Sequence, residues 1–393
     1  MRPSLLLYSP PAQAPAKSKH MSARTNHQQD ASAALPQPRP GALRIPPYVA
    51  GRSSVPGIAK PIKLSSNESA LGSSPKAVAA YQEAAANLHR YPDSGATALR
   101  AAIAARHGVA AANIVCGDGS DEILHLLGLG YAGAGDEVLY TGHGFVVYPM
   151  VAHAVGATPV AAPERECTVD VDALLAKVTA RTKIVFVANP NSTGTYISTA
   201  EVARLRAGLS ADVLLVLDAA YAEYVDAADY TAGDQFVAAG NTVVTRTFSK
   251  AYGLAGLRLG WCNCPGAVAD VLNRLRAPFN VTVPAQAAGV AAVGDQDFLA
   301  TIRAHNSQWR PWLVQQLRGF GLHPFPSVTN FVLVRFPGGA AQADGANAFL
   351  TARGILVRDM KAYGLGECLR ITVGREDELR AMVQSLGEFL GPA

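Results

Sequence analysis

The sequence predicts an α/β protein: a mainly parallel seven-stranded sheet between helices, followed by a smaller α+β domain. Seven short apolar runs, at 113–116, 137–140, 158–160, 183–187, 213–217, 242–245 and 257–262, are separated mostly by helical patterns. Such βαβ alternation implies a parallel sheet with helices on both faces. After about Pro284 the texture changes to long helices and a few strands. At 393 residues, 49% hydrophobic and 16% charged, the chain is long enough for a large core and a second domain.

Taken in order, residues 1–40 carry seven prolines with Ser, Ala and Gln and no apolar period, the composition of a disordered tail, and Met21 offers an alternative start within it. Residues 41–92 read as an arm and part of the small domain. They hold the turn-rich stretch LSSNESALGSSP from Leu64, then an alanine-rich helix over 75–88 with Pro75 suited to its first turn. The large domain, 93–285, begins with an amphipathic helix over 97–107, ended by Gly108, and continues through the seven strands. The small domain, 286–393, reads as helices over 286–293 and 298–318, a strand over 329–336, a helix over 343–353, strands over 355–358 and 369–373, and a closing helix from Asp377.

The bulk charge excludes one class of partner. The formal charge of +4 is carried by the first 44 residues, and beyond them 28 basic residues face 29 acidic ones, so no basic face remains for nucleic acid. Five scattered cysteines without a C-x-x-C suggest neither a disulfide framework nor a zinc site, and fit a reducing, cytoplasmic setting. No apolar run approaches a membrane span of about 20 residues, and Leu5-Leu6-Leu7-Tyr8 is cut short by Pro10-Pro11, so no signal peptide is expected.

The chemistry gathers at strand ends, where α/β sheets bind ligands. The β-branched segment NTVVTRTF, 241–248, ends at Ser249-Lys250. A lysine partly desolvated there has a lowered pKa and can bond a carbonyl carbon covalently. Arg258 follows a turn containing Gly253 and Gly256, and its fork suits a phosphate. GDGSDE, 117–122, is a glycine turn opening a helix at Ser120, whose free amides suit the same phosphate. GHGFVVY places Phe145 and Tyr148 at the edge, where a flat aromatic can stack on a heterocycle. ANPNSTG offers the amides of Asn189 and Asn191. Asp218 ends an apolar strand, so its carboxylate needs a cation, and Tyr221 follows it. Each motif alone has a bland reading as a cap, a turn or a core aromatic; together they describe one site.

Together SNESALGSSP, YPDSGATALR, GDGSDE, HGFVVY, NPNSTGT, LDAAYAEY, RTFSKAYGLAGLRLG, TNFVLV and LRITVG, spread over 45–393, resemble the fold-type I pyridoxal-phosphate aminotransferases, in particular the branch that acts on histidinol phosphate. The resemblance implies that Lys250 bonds the cofactor, that Asp218 pairs with its pyridine nitrogen, and that Tyr221 and Asn191 bond its phenolic oxygen. Phe145, where the family often has Tyr, stacks on the ring. The phosphate lies among Gly119, Ser120, Asp121, Ser249 and Arg258, with Tyr91 arriving from the other subunit of a homodimer. Arg370, helped by Arg358, holds the anionic group of the substrate, which Asn191 and Tyr91 also approach. The implied reaction converts L-histidinol phosphate and 2-oxoglutarate to imidazole-acetol phosphate and L-glutamate. The rivals on the same scaffold are an aromatic amino-acid aminotransferase and a decarboxylase of a phosphorylated amino acid. Two departures stand out: the usual N-P-N-N-P-T-G is one residue shorter here, NPNSTG, and D-E-A-Y is D-A-A-Y.

Overall fold

The computed structural model describes residues 36–48 and 51–391; most of the expected 1–40 tail lies outside the described residues. From Arg39 onward the chain makes one compact unit. Its strands in chain order are β1 (Ile62–Leu64), β2 (Ile114–Asp118), β3 (Glu137–Thr141), β4 (Thr158–Ala162), β5 (Glu164–Arg165), β6 (Thr168–Val169), β7 (Thr182–Ala188), β8 (Leu214–Asp218), β9 (Thr242–Thr247), β10 (Leu259–Asn263), β11 (His323–Pro324), β12 (Phe331–Arg335), β13 (Ile355–Asp359) and β14 (Cys368–Thr372).

The large sheet has seven strands in the order β2-β10-β9-β8-β7-β3-β4. Only β10 runs against its neighbours, pairing antiparallel with both β2 and β9. The reason lies in the chain between β9 and β10: a short turn with no crossover helix can only reverse direction. Gly253 makes that turn at φ 69°, and a Cβ there would overlap the Gly72 carbonyl oxygen. The central strands β8 and β9 are buried along their whole length, as strands covered on both faces must be. Two apolar cores flank the sheet, one between it and the helices Gly119–Tyr131 and Val147–Val155, the other beneath the helix Thr199–Gly208.

A second sheet, β1-β13-β14-β12-β11, carries its own core against the helices Gln296–Gly319, Gly339–Ala352 and Glu376–Leu390. The edge strand β1 comes from far upstream and pairs parallel with β13. The helix expected over 75–88 is α-helical over Pro75–Ala84 and tightens to a 3-10 turn at Ala85–Asn87; that over Thr97–His107 matches end to end.

Candidate active site

Strand register brings the chemistry together. Asp218 ends β8 opposite Ala188 of β7 and Thr245 of β9, so the ends of three parallel strands share one edge. A pocket of about 260 Å³ opens there, reached by Asp218, Tyr221, Ser249, Lys250, Arg258 and Phe145.

Asp218 is buried at the floor of this pocket. Tyr148 Oη donates to its Oδ2 at 2.9 Å and Thr245 Oγ1 donates to its Oδ1 at 3.1 Å. Burial raises its pKa from 3.8 to about 6, against the pull of those two hydrogen bonds. Two neutral donors do not neutralise a buried carboxylate, whose desolvation costs several kcal/mol. The floor therefore favours a cationic partner. Tyr148 is itself fully buried, stacked on Phe186 with centroids 4.9 Å apart, and burial with the adjacent carboxylate pushes its hydroxyl well above the ordinary phenol range.

Lys250 stands three residues past the end of β9, with Nζ 3.2 Å from the Ser66 carbonyl oxygen. Burial, and next the Arg370 guanidinium, lower its pKa from 10.5 to about 8, so its amine is available as a nucleophile near neutral pH. On the opposite face of β9, Arg246 makes ion pairs of 3.1 Å with Glu223 and with Asp234. This buried cluster fastens the turn after Tyr221 to the strand that carries Lys250.

The opposite side of the pocket is built for an anion. The helix Gly119–Tyr131 starts there with no side-chain cap; Gly119 donates its N–H to the Arg258 carbonyl oxygen at 3.0 Å, leaving those of Ser120 and Asp121 available. Arg258 lies across Gly119, where a Cβ would sit 2.5 Å from Nη2. Its guanidinium donates to the Ala255 carbonyl oxygen at 3.1 Å and makes longer contacts, 3.4 Å to Ser249 Oγ and 3.4 Å to Asp121 Oδ2; its backbone, at the end of the 3-10 turn Ala255–Leu257, is left-handed at φ 50°. With its Nη2 met by the 3.4 Å contact to Asp121, this guanidinium beside an uncapped helix end suits a phosphate.

At the mouth, Arg358 of β13 and Arg370 of β14 face each other in register, and both line the pocket. Arg370 lies 4.9 Å over the Phe331 ring and donates from Nη1 to the Ser192 carbonyl oxygen at 3.0 Å. Its buried Nε has no hydrogen-bond partner among the described residues. An unmet buried guanidinium donor calls for an acceptor from a ligand.

Most of the expected site residues meet here, with three exceptions: Gly119, Asn191 and Tyr91. Gly119 is not in the lining and its N–H is held by the Arg258 carbonyl oxygen, which corrects the expectation that it binds the phosphate. Asn191 is not in the lining. Its Nδ2 donates to Glu164 Oε1 at 3.0 Å and its Oδ1 accepts the Ser192 N–H at 2.7 Å. In the shortened loop Ala188, Pro190 and Ser192 face the pocket, so the side chains of Asn189 and Asn191 turn away, which corrects the expectation that Asn191 reaches the cofactor and the substrate. Tyr91 is 82% exposed, stacked on Phe279, and lies outside the pocket of its own chain. Residues the sequence reading gave no role also line the pocket, among them Tyr48, Asn67, Glu68 and Tyr363. Asn67 belongs to the SNES motif, which was legible as a motif but not as a site.

The donor set fits a flat, protonated nitrogen heterocycle that carries a carbonyl and a phosphate. Comparison with known proteins gives the same class. Residues 59–386 match the family model of the class I and II aminotransferases, and the chain belongs to that family. It is 57% identical over 359 residues to the histidinol-phosphate aminotransferase of Paramagnetospirillum magneticum, covering 91% of this chain and 99% of that protein. The corresponding protein of Rhodospirillum centenum is 56% identical, over 90% of this chain and 99% of its own length. Among solved structures, the histidinol-phosphate aminotransferase of Sinorhizobium meliloti in complex with pyridoxal-5'-phosphate superposes with a TM-score of 0.81 at 29% identity, covering 84% of this chain and 90% of that one.

Proposed function

We propose that the chain is an enzyme that transfers the amino group of L-histidinol phosphate to 2-oxoglutarate, giving imidazole-acetol phosphate and L-glutamate, a step of histidine biosynthesis. The cofactor is pyridoxal 5'-phosphate. When bound, it supplies an electrophilic carbonyl carbon and a protonated ring that spreads the charge left on the substrate α-carbon.

The chain's own residues divide the remaining work. Asp218 pairs with the ring nitrogen and keeps it protonated, in an orientation set by Tyr148 and Thr245. Phe145 covers one face of the ring and Tyr221 donates to the phenolic oxygen. The cofactor's phosphate would be held by the amides of Ser120 and Asp121, the Ser249 hydroxyl and Arg258. Lys250 would hold the cofactor covalently, and its free Nζ would be the base that takes the proton from the substrate α-carbon and the acid that returns it. Arg370 and Arg358 hold the phosphate of the amino substrate. Tyr91 completes the site of a second copy of the chain, so the working form is a homodimer, placed in the cytoplasm. Among the described residues no helix is long and apolar enough to cross a membrane.

The observation that carries the substrate reading is the facing pair Arg358 and Arg370 at the pocket mouth, with the Arg370 Nε unmet. Two guanidiniums suit a doubly charged phosphate better than one carboxylate. The expected kcat/KM for histidinol phosphate exceeds that for phenylalanine by on the order of tenfold or more, about 1.4 kcal/mol in transition-state binding. Arg358→Ala should lower histidinol phosphate selectively. Preference for phenylalanine, with a ratio unmoved by Arg358→Ala, would transfer the assignment to an aromatic aminotransferase.

A further inference from the structure

Asn67 sits where three parts of the chain meet. It follows β1 in the segment Ser65-Ser66-Asn67, is buried, and has a left-handed backbone at φ 56°, a conformation that asparagine tolerates better than most residues. Its backbone N–H donates to Thr372 Oγ1 at 3.0 Å, and the Thr372 hydroxyl donates back to Asn67 Oδ1 at 3.2 Å. Its carbonyl oxygen accepts from Asn330 Nδ2 at 2.9 Å. Its own Nδ2 donates to Tyr221 Oη at 2.8 Å.

These bonds fix the direction of every proton in the chain of contacts. Thr372 Oγ1 already accepts the Asn67 N–H, so the hydroxyl proton goes to Oδ1. That locks the amide, because in the flipped orientation the Thr372 proton would lose its acceptor among the described residues. Nδ2 must then point at Tyr221. A tyrosine oxygen that accepts from an amide keeps its own proton free to donate elsewhere, and the open direction is the pocket, which both residues line.

We propose that Asn67 is a positioning residue: it turns the Tyr221 hydroxyl proton into the pocket, so that Tyr221 acts as a fixed donor to the phenolic oxygen of the cofactor. The inference rests on the role given to Tyr221 above. It also gives the substrate-binding strand a part in that role, because Thr372 stands two residues beyond Arg370 on β14 and shares its face. The charged groups around Tyr221 are Arg370, Lys250 and Asp218, from β14, the segment after β9 and the end of β8.

The test is a pH titration of the visible absorbance of the cofactor-loaded enzyme without substrate, which is independent of which amino compound the enzyme takes. Asn67→Asp keeps a residue type at home in the left-handed region and replaces the donor with an acceptor, so the Tyr221 proton is drawn to the new carboxylate and away from the pocket. The midpoint should rise by about one pH unit, a tenfold change in the proton equilibrium. In a Tyr221→Phe background the same substitution should move it by less than half as much. Thr372→Val frees the amide without adding charge. It should move the midpoint in the same direction by a smaller amount, and not at all with Tyr221→Phe, which keeps the proposal testable if Asn67→Asp fails to fold. An unmoved midpoint, or a shift that keeps half or more of its size without the tyrosine hydroxyl, would overturn it.

Discussion

Replacing Tyr148 by Phe isolates the control of Asp218. The ring keeps its stack on Phe186 and its edge contact with Phe145, so packing is preserved. What disappears is the 2.9 Å bond from Oη to Asp218 Oδ2, leaving Thr245 as the remaining side-chain donor. A hydrogen bond to a charged group contributes about 1.5–3 kcal/mol. That is roughly one to two pKa units. Asp218 starts from about 6, so in the variant without bound cofactor it would be mostly protonated at neutral pH. A protonated carboxyl cannot pair with a cationic ring nitrogen, so cofactor binding must first remove that proton. The sign follows: affinity is weakest at low pH and recovers as pH rises through the shifted pKa. Titrating cofactor-free protein with pyridoxal 5'-phosphate across pH 6 to 9 should show roughly tenfold weaker binding at the acid end, converging on the wild type at the alkaline end. Identical affinities at every pH would refute the claim that Tyr148 sets the acidity of Asp218.

Covalent capture of the cofactor by the cofactor-free enzyme needs a neutral Lys250, whose pKa is lowered to about 8, so the capture rate should rise with pH around that value and level off above it; a midpoint at the ordinary 10.5 would contradict the pocket's electrostatics. If Tyr91 crosses to the partner's site, mixing Tyr91→Phe subunits with Lys250→Ala subunits should give heterodimers with one wild-type site and activity above both parents. Heterodimers that form without such recovery would place Tyr91 outside the site.

How much of this was legible in the sequence depends on distance along the chain. Lys250, Asp218 and Tyr221 could be read because each lies at or just past the end of an apolar run, and strand ends on one edge of a parallel sheet converge whatever their order. The role of Tyr148 was half legible: its place near the edge was expected, but only the helix starting at Val147 shows that its hydroxyl turns under the sheet to Asp218. Asn67 was not legible, since its partner Thr372 is 305 residues away and no local period marks a contact of that kind. Asn191 was misread for the opposite reason. Its loop has no period from which to infer which side chains face inward, and only the structure shows that its amide turns to Glu164.

The central claim, that this pocket exchanges amino groups with a phosphorylated amino substrate, is tested most directly by a single half-reaction. Holoenzyme mixed with L-histidinol phosphate and no acceptor should lose its yellow absorbance as the amino group passes to the cofactor, and should regain it on addition of 2-oxoglutarate. Phenylalanine should do the same about tenfold more slowly or worse at equal concentration. No spectral change with histidinol phosphate, or a faster one with phenylalanine, would contradict the account.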